Sequence, residues 1–118
     1  MQVTTKVSER TASGASGGSV TILAFAGDIS SASKDAILGA YHGLSGVTRV
    51  LLDFTGVDYI NSSGIAIIIQ MLLEAGKAGT QSIGIFGLSP HFQKVFTMVG
   101  INKYAAMHKD EAAALAAA

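Results

Sequence analysis

Residues Arg49 to Gly76 read RVLLDFTGVDYI, then NSSG, then IAIIIQMLLEAG. An apolar run of strand length passes through a few small polar residues into an apolar run of helix length. With almost no linker, the junction must lie at the carboxyl edge of a sheet, where the strand ends and the helix returns across it. A helix starting there has backbone N–H groups with no intrahelical partner and a partial positive charge. Ser62 and Ser63 carry hydroxyls at that junction. The question for the rest of the chain is whether they are caps, nucleophiles or acceptors of a phosphate.

Strand and helix alternate along most of the chain. Val3, Thr5 and Val7 give a weak period-two pattern, an edge strand, and ASGASGGS (12–19) reads as a hairpin loop. VTILAFAG (20–27) is apolar on both faces, as a central strand is, and Gly27, Asp28, Ile29 and Ser30 break it. A helix is expected from about Ser31 to Gly43, capped by Ser30 or Ser31, with Ala36, Ile37, Ala40, Tyr41 and Leu44 inward and Gly43 and Gly46 as stops. Arg49–Phe54 is the third strand, and Thr55–Tyr59 cross the sheet edge. The second helix runs from about Ser63 to Ala75, stopped by Gly76 or Gly79. Ile83–Phe86 is a fourth strand. Ser89 caps a third helix with Pro90 at its first position, and Phe92, Val95, Phe96 and Val99 form its stripe. A short strand in Lys103–Met107 and a helix in Lys109–Ala118 close the chain. The expected fold is therefore α/β, one domain over 1–118. Its sheet is mixed and mostly parallel, with four to five strands and about four helices.

Composition narrows the function. Formal net charge is zero and Lys and Arg do not cluster, which disfavours nucleic acid or an anionic membrane as partner. There is no cysteine, so disulfides and thiol nucleophiles are excluded. The start of the chain has no apolar segment of a secretory signal, and Ile65–Ile69 falls far short of a span of ~20 residues, so a cytoplasmic setting without a membrane segment is expected. His42, His91 and His108 are too widely spaced for a metal site. Gly76-Lys77-Ala78 fails the phosphate-loop pattern. Ile60-Asn61-Ser62-Ser63-Gly64 lacks the first glycine of a hydrolase elbow and has no evident histidine–acid partner. No catalytic residue, metal or cofactor is assigned.

Capping and phosphorylation remain. Ser62 reads as the N-cap, with Asn61 just outside the helix and Gly64 permitting close packing. A phosphate there adds about −1.5 to −2 charges at pH 7 beside N–H groups that accept anions, which alters the surface and leaves the fold intact. At 100° per residue, Ile65, Ile68, Ile69, Leu72, Ala75 and Gly76 share the expected core face of the second helix. Ile67 and Met71 fall on one flank and Leu73 on the other. These either pack under neighbouring helices or form an apolar border that a partner covers.

Leu52-Asp53-Phe54-Thr55-Gly56-Val57-Asp58-Tyr59-Ile60-Asn61-Ser62-Ser63-Gly64-Ile65 resembles the central motif of STAS domains, especially bacterial anti-sigma factor antagonists. In that family a strand ending in L-D leads to D-S-S-G-L or D-S-T-G-L opening a helix. Gly27-Asp28-Ile29 and the run Gly87-Leu88-Ser89-Pro90, Val95-Phe96, Gly100-Ile101 agree in order and spacing, so the resemblance covers roughly residues 3 to 115. It implies a non-enzymatic partner switch. The unphosphorylated antagonist binds an anti-sigma factor that is also a serine kinase; the kinase phosphorylates the first serine of the motif, here Ser62; a PP2C-type phosphatase reverses it. The same resemblance makes Asp28, Ile29, Ser30, Ser31, Asn61, Ser62, Ser63 and Gly64 expected partner-binding residues, and the helix-face reading adds Ile67 and Met71 to the set. Asn61 stands where the family usually has Asp; it keeps the turn-forming ability and lacks the charge. The alternative is a non-switching STAS subunit docked on a transporter ATPase or signalling complex. A small enzyme on an unrelated α/β sheet ranks below both.

Overall fold

A computed structural model of the chain describes residues 6–15, 17–44, 49–78 and 82–117. The expected strand residues Val3 and Thr5, and the stops at Gly46 and Gly79, lie outside these, as do the side-chain surroundings of Gly76 and Lys77.

Five strands, β1 (Lys6–Ser13), β2 (Ser19–Ile29), β3 (Arg49–Ile60), β4 (Ser82–Phe86) and β5 (Ala106–Met107), form one sheet in chain order. Hairpin β1–β2 is antiparallel and every other pairing is parallel. The mixed, mostly parallel sheet is thus as expected, but β1 takes the first two residues of the segment assigned to the hairpin loop, Ala12 and Ser13, and β2 takes the last, Ser19. Ser13 pairs with Ser19, and Gly14 N–H closes the turn on Gly18 C=O at 2.9 Å.

Right-handed crossovers that always step to the next strand in one direction put every crossover helix on the same face. Helices α1 (Lys34–His42), α2 (Ser62–Ala78) and α3 (Pro90–Met98) accordingly share one layer. Beneath them lies the main core, with Leu23, Phe25, Ile29, Leu52, Phe54, Ile68, Leu72, Ile85 and Phe96 essentially inaccessible. Phe54 stands between Phe25 and Phe96, with ring centroids 5.2 and 5.6 Å away. The fourth helix, α4 (Glu111–Ala116), covers the reverse face, where Val20, Ile22, Leu51, Phe86 and Ala114 form a smaller cluster. The helix is tied to the hairpin by Ala15 N–H donating to Leu115 C=O at 3.0 Å and by a forked Arg10–Glu111 pair. Arg10 holds the Glu111 carboxyl below the usual carboxylate range by hydrogen bonding, against a smaller opposing effect of burial.

Caps follow the sequence at Ser30 and Ser89, and Asp110, expected within the first turn of the last helix, is a third. Ser30 Oγ accepts from Ala32 N–H at 3.3 Å while Ser30 N–H donates to Ser33 Oγ at 2.9 Å, a reciprocal box that opens a 3-10 turn, Ser31–Ser33, leading into α1. Ser89 Oγ accepts from Phe92 N–H, with Pro90 in the first turn as expected. Asp110 caps α4 through Ala113 N–H at 2.9 Å. In α1 the inward residues are Ile37, Leu38 and Tyr41, so Leu38 replaces the exposed Ala36 in the expected stripe. In α3, Phe92 and Phe96 are buried and Val99 is exposed.

Strands β2 and β3 are longer than expected. Gly27–Ser30 does not end β2 at Gly27, and Thr55–Tyr59 remain strand up to Ile60. The sequence pattern misled because the two strands slip past each other twice. Ala24 pairs with Asp53 but Ala26 with Gly56; Gly27 pairs with Val57 but Asp28 with Tyr59. Each step leaves one extra residue on β3, a β-bulge that breaks the alternation of faces. The first is braced by Asp53 Oδ1 accepting from Thr55 N–H at 2.8 Å and by Gly87. With φ of +85° and a Cβ position only 2.4 Å from Thr55 Oγ1, Gly87 is the one residue type that fits.

Candidate functional site

The carboxyl ends of β2 and β3 meet at Ile29 and Ile60, which are register partners. From there β3 turns into α2. Asn61 N–H donates to Ile29 C=O at 3.1 Å, and Asn61 Oδ1 accepts from Gly64 N–H at 2.8 Å. Asn61 C=O accepts the first helical bond, from Ile65 N–H. Asn61 is therefore the N-cap and Ser62 the first helical residue, which corrects the expectation that Ser62 caps the helix. Asn and Ser are nearly equal as caps. Asn61 takes the place because its N–H also reaches the end of β2, which fixes the turn one residue earlier.

Gly64 sits in the first turn against that same strand end. A Cβ there would lie 2.5 Å from Ile29 O and 2.8 Å from Ile29 Cγ2. The glycine lets the helix start press directly onto the backbone of β2. The 28–33 turn is in turn fixed by the Ser30–Ser33 box and by buried Ser33, whose Oγ donates to Asp28 C=O at 3.5 Å. The predicted segments Asp28–Ser31 and Asn61–Gly64 are thus brought together on one rigid edge.

Within it, exposure sorts the residues. Ser62, Ser63 and Ser31 are exposed; Asp28, Ser30 and Asn61 are half-buried. Ile29 and Gly64 are buried where strand and helix pack, so the Ile29 side chain is withdrawn from a partner and Gly64 has none to offer. Ile67 and Met71 are also removed from the expected surface, at 6% and 0% exposure. The inward stripe of α2 is Ile67, Ile68, Met71, Leu72 and Ala75, with Ile65 and Ile69 half-buried at its margin. Because α2 lies over the sheet beside α1, its buried face is rotated toward Ile67 and Met71. Leu73, on the other flank, is exposed.

The residue that sequence reasoning passed over is Tyr59. It precedes Ile60, is 56% exposed, and stands edge-on to Phe92 of α3 with ring centroids 6.0 Å apart. His91 flanks the same phenylalanine at 4.9 Å. The missing signal was the length of β3: the two bulges cancel in phase, so alternation from Leu52 and Phe54 puts Ile60 inward and Tyr59 outward once the strand is known to run on to Ile60.

Chemically, the edge offers hydroxyls, amide groups and the Asp28 carboxylate. Among the described residues no three His, Asp or Glu side chains converge as a metal site would require. His42 Nε2 lies 3.0 Å from Glu74 Oε2 across α1 and α2, away from the edge. Also among the described residues, no helix is long and apolar enough to cross a membrane.

Residues 13–109 match the family model described as "Mlab, STAS domain". The chain belongs to the STAS domain family. Comparison with curated protein sequences found no significant match. Among solved structures, an anti-sigma factor antagonist from Mycobacterium paratuberculosis superposes with a TM-score of 0.73 at 15% identity, over 92% of this chain and 90% of that one. The Bacillus cell fate determinant SpoIIAA in its phosphorylated form gives 0.61 at 17% identity, over 92% and 96%. A sulfate transporter family protein from Wolinella succinogenes gives 0.71 at 16% identity, over 81% of each chain. At these identities the likenesses establish a shared STAS fold.

Proposed function

We propose that this chain is an anti-sigma factor antagonist acting by partner switching, controlled by reversible phosphorylation of Ser62. The observation that carries the reading is the setting of Ser62. It is an exposed hydroxyl in the first turn of α2, held on a turn that Asn61, Gly64 and Ile29 make rigid. Asn61 Oδ1 takes the N–H of Gly64, and helix geometry leaves the N–H groups of Ser62 and Ser63 without an intrahelical partner, where they accept an anion. A phosphate therefore changes the surface without disturbing packing beneath it. The neutral Asn61 cap spares that phosphate the repulsion an adjacent carboxylate would exert.

In this reading the unphosphorylated edge, with Asp28, Ser30, Ser31, Asn61, Ser62 and Ser63, binds an anti-sigma factor that is also a serine kinase. Transfer of a phosphoryl group from the kinase's ATP to Ser62 Oγ releases it. A PP2C-type phosphatase restores binding. The chain itself catalyses nothing and works in the cytoplasm. Incubation with the cognate anti-sigma factor kinase and MgATP, followed by intact-mass analysis and site mapping, tests the reading. One phosphate on Ser62, permanent binding by Ser62→Ala and weakened binding by Ser62→Asp are expected. Equal binding by wild type and both variants sinks the switch.

A second reading, a non-switching STAS subunit docked on a transporter ATPase or signalling complex, draws support from the likeness to the sulfate transporter family protein. Co-purification with an ATPase and no incorporated phosphate would favour it.

A further inference from the structure

We propose that Asp53 is the positioning residue of the Ser62 edge. Its carboxylate fixes the register in which the end of β3 leaves the sheet, and so sets where the Ser62 hydroxyl stands. The inference rests on the partner-switching reading and deepens it, by saying what holds the phosphoacceptor in place for its kinase.

The first observation is where β3 loses a neighbour. Its ladder with β4 ends at Asp53, paired with Phe86. Beyond that point β3 runs on to Ile60 paired only with β2, and the Ser62 turn follows from its tip. Residues 55–60 therefore form an arm that the sheet supports along one side.

The second observation is phase. The first bulge lies at the root of this arm, between the pairs Ala24–Asp53 and Ala26–Gly56. A slip of one residue there would carry the arm about 3.3 Å along β2 and turn each of its side chains to the other face. It would set Tyr59 opposite Ile29 in place of Ile60, and draw Asn61 N–H away from Ile29 C=O. The register taken at the root thus decides whether the cap at the tip can form.

The third observation is Asp53 itself. Its Oδ1 accepts from Thr55 N–H at 2.8 Å, within the bulge. Thr55 has no register partner on β4, so the carboxylate supplies an acceptor that this ladder does not. An aspartate bonded to the N–H two residues on holds a local turn, which is how a strand takes in an extra residue. The Asp53 side chain is only 15% exposed, and Arg10 Nη2 stands 3.8 Å from its Oδ2. Arg10 is already taken in a fork by Glu111, so the bond to Thr55 is the closer tie. On the other side Gly87 presses against Thr55, with a Cβ position only 2.7 Å from its nitrogen, which leaves the bulge little room to shift.

The experiment compares wild type with Asp53→Ala, Asp53→Asn and Arg10→Gln, at a temperature where circular dichroism shows each to be folded. Amide NMR spectra follow the position and hydrogen exchange of Thr55, Ile60 and Ser62. Initial rates with the cognate anti-sigma factor kinase and MgATP follow phosphorylation of Ser62. Asp53→Ala is expected to speed exchange at the three amides and to lower kcat/KM at Ser62 by about tenfold, because small misplacements of a reacting atom are costly. Asp53→Asn keeps an acceptor at Oδ1 and is expected to stay within about twofold of wild type. Arg10→Gln, which removes only a long ion pair, is expected to do the same. Should Asp53→Ala fail to fold, Asp53→Glu, which displaces the acceptor by one methylene, takes its place. Unchanged amides in Asp53→Ala, or altered amides with unchanged phosphorylation, overturn the positioning role. A loss in Arg10→Gln equal to that in Asp53→Ala overturns the hydrogen bond as its means. Wild type that takes no phosphate on Ser62 overturns the partner-switching reading, while the amide comparison, made without kinase, still decides whether Asp53 sets the register.

Discussion

Replacing Gly64 by alanine tests how the site is built. In an ordinary helix the change stabilises, because alanine exceeds glycine by about 1 kcal/mol in helix propensity. Here the added methyl would stand 2.5 Å from Ile29 O, nearly an ångström short of an ordinary contact. The obstacle is backbone, so no rotamer change relieves it. Either β2 or the start of α2 must retreat, and a retreat of that size stretches the 3.1 Å bond from Asn61 N–H to Ile29 C=O past hydrogen-bonding range. Overpacking of this kind costs about 1–3 kcal/mol and the lost hydrogen bond about 1 kcal/mol. Set against the propensity gain, the net loss is about 1–3 kcal/mol. For a domain of this size that lowers Tm by roughly 3–12 °C. Gly39 supplies the control: it lies inside α1, is exposed, and has nothing within 4 Å of a Cβ position. Gly39→Ala should stabilise by about 0.5–1 kcal/mol. Urea unfolding of both variants, followed by far-ultraviolet circular dichroism, gives the two signs directly. If Gly64→Ala is as stable as wild type or more so, the close approach of α2 to Ile29 is wrong, and with it the account of why a glycine follows the serines.

Two further outcomes are expected. Met71→Ala, at a fully buried position of α2, should cost about 2–4 kcal/mol, whereas Leu73→Ala on its exposed flank should cost well under 1 kcal/mol; similar losses for the two in chemical denaturation would show the helix face is misplaced. The Glu111 carboxyl, held low by its hydrogen bond from Arg10, contributes stability that is present above the usual carboxylate range and is lost as pH falls through the lowered folded value. Both partners are well exposed, so the contribution stays under about 1 kcal/mol and shrinks with salt. Glu111→Gln should therefore flatten the acid limb of stability measured against pH, and an unchanged limb would rule the pair out as its source.

The sequence made the mixed, mostly parallel sheet and two capped helix starts legible, since Ser30 and Ser89 act locally through the next turn of chain. It did not reveal the phase of α2. Seven of the nine residues from Ile65 to Leu73 are Ile, Met or Leu, so periodicity hardly favours one direction; the neighbouring α1 decides that Ile67 and Met71 face inward. The bulges were equally hidden, because their extra residues are defined by β2 across the ladder and not by anything in β3. At the site, motif order located Ser62 and the 28–31 turn. The identity of the cap depended on one hydrogen bond from Asn61 to another strand, which no local rule supplies.

The stitching of α4 to the β1–β2 hairpin bears on how the molecule opens. Arg10 and Glu111 are 101 positions apart, and the contact encloses nearly the whole sheet. Closing so long a loop is entropically costly, and the small cluster around Ala114, one backbone hydrogen bond and the exposed Arg10–Glu111 pair reward it. Amide protection should then fall into two tiers. The α4–hairpin seam exchanges early, by local release that bares the reverse face around Val20, Ile22 and Phe86. The layer carrying the Ser62 edge exchanges only with global unfolding. The helix layer carrying the Ser62 edge and the α4 seam lie on opposite faces of the sheet, so the molecule can breathe on one side while holding a fixed shape on the other.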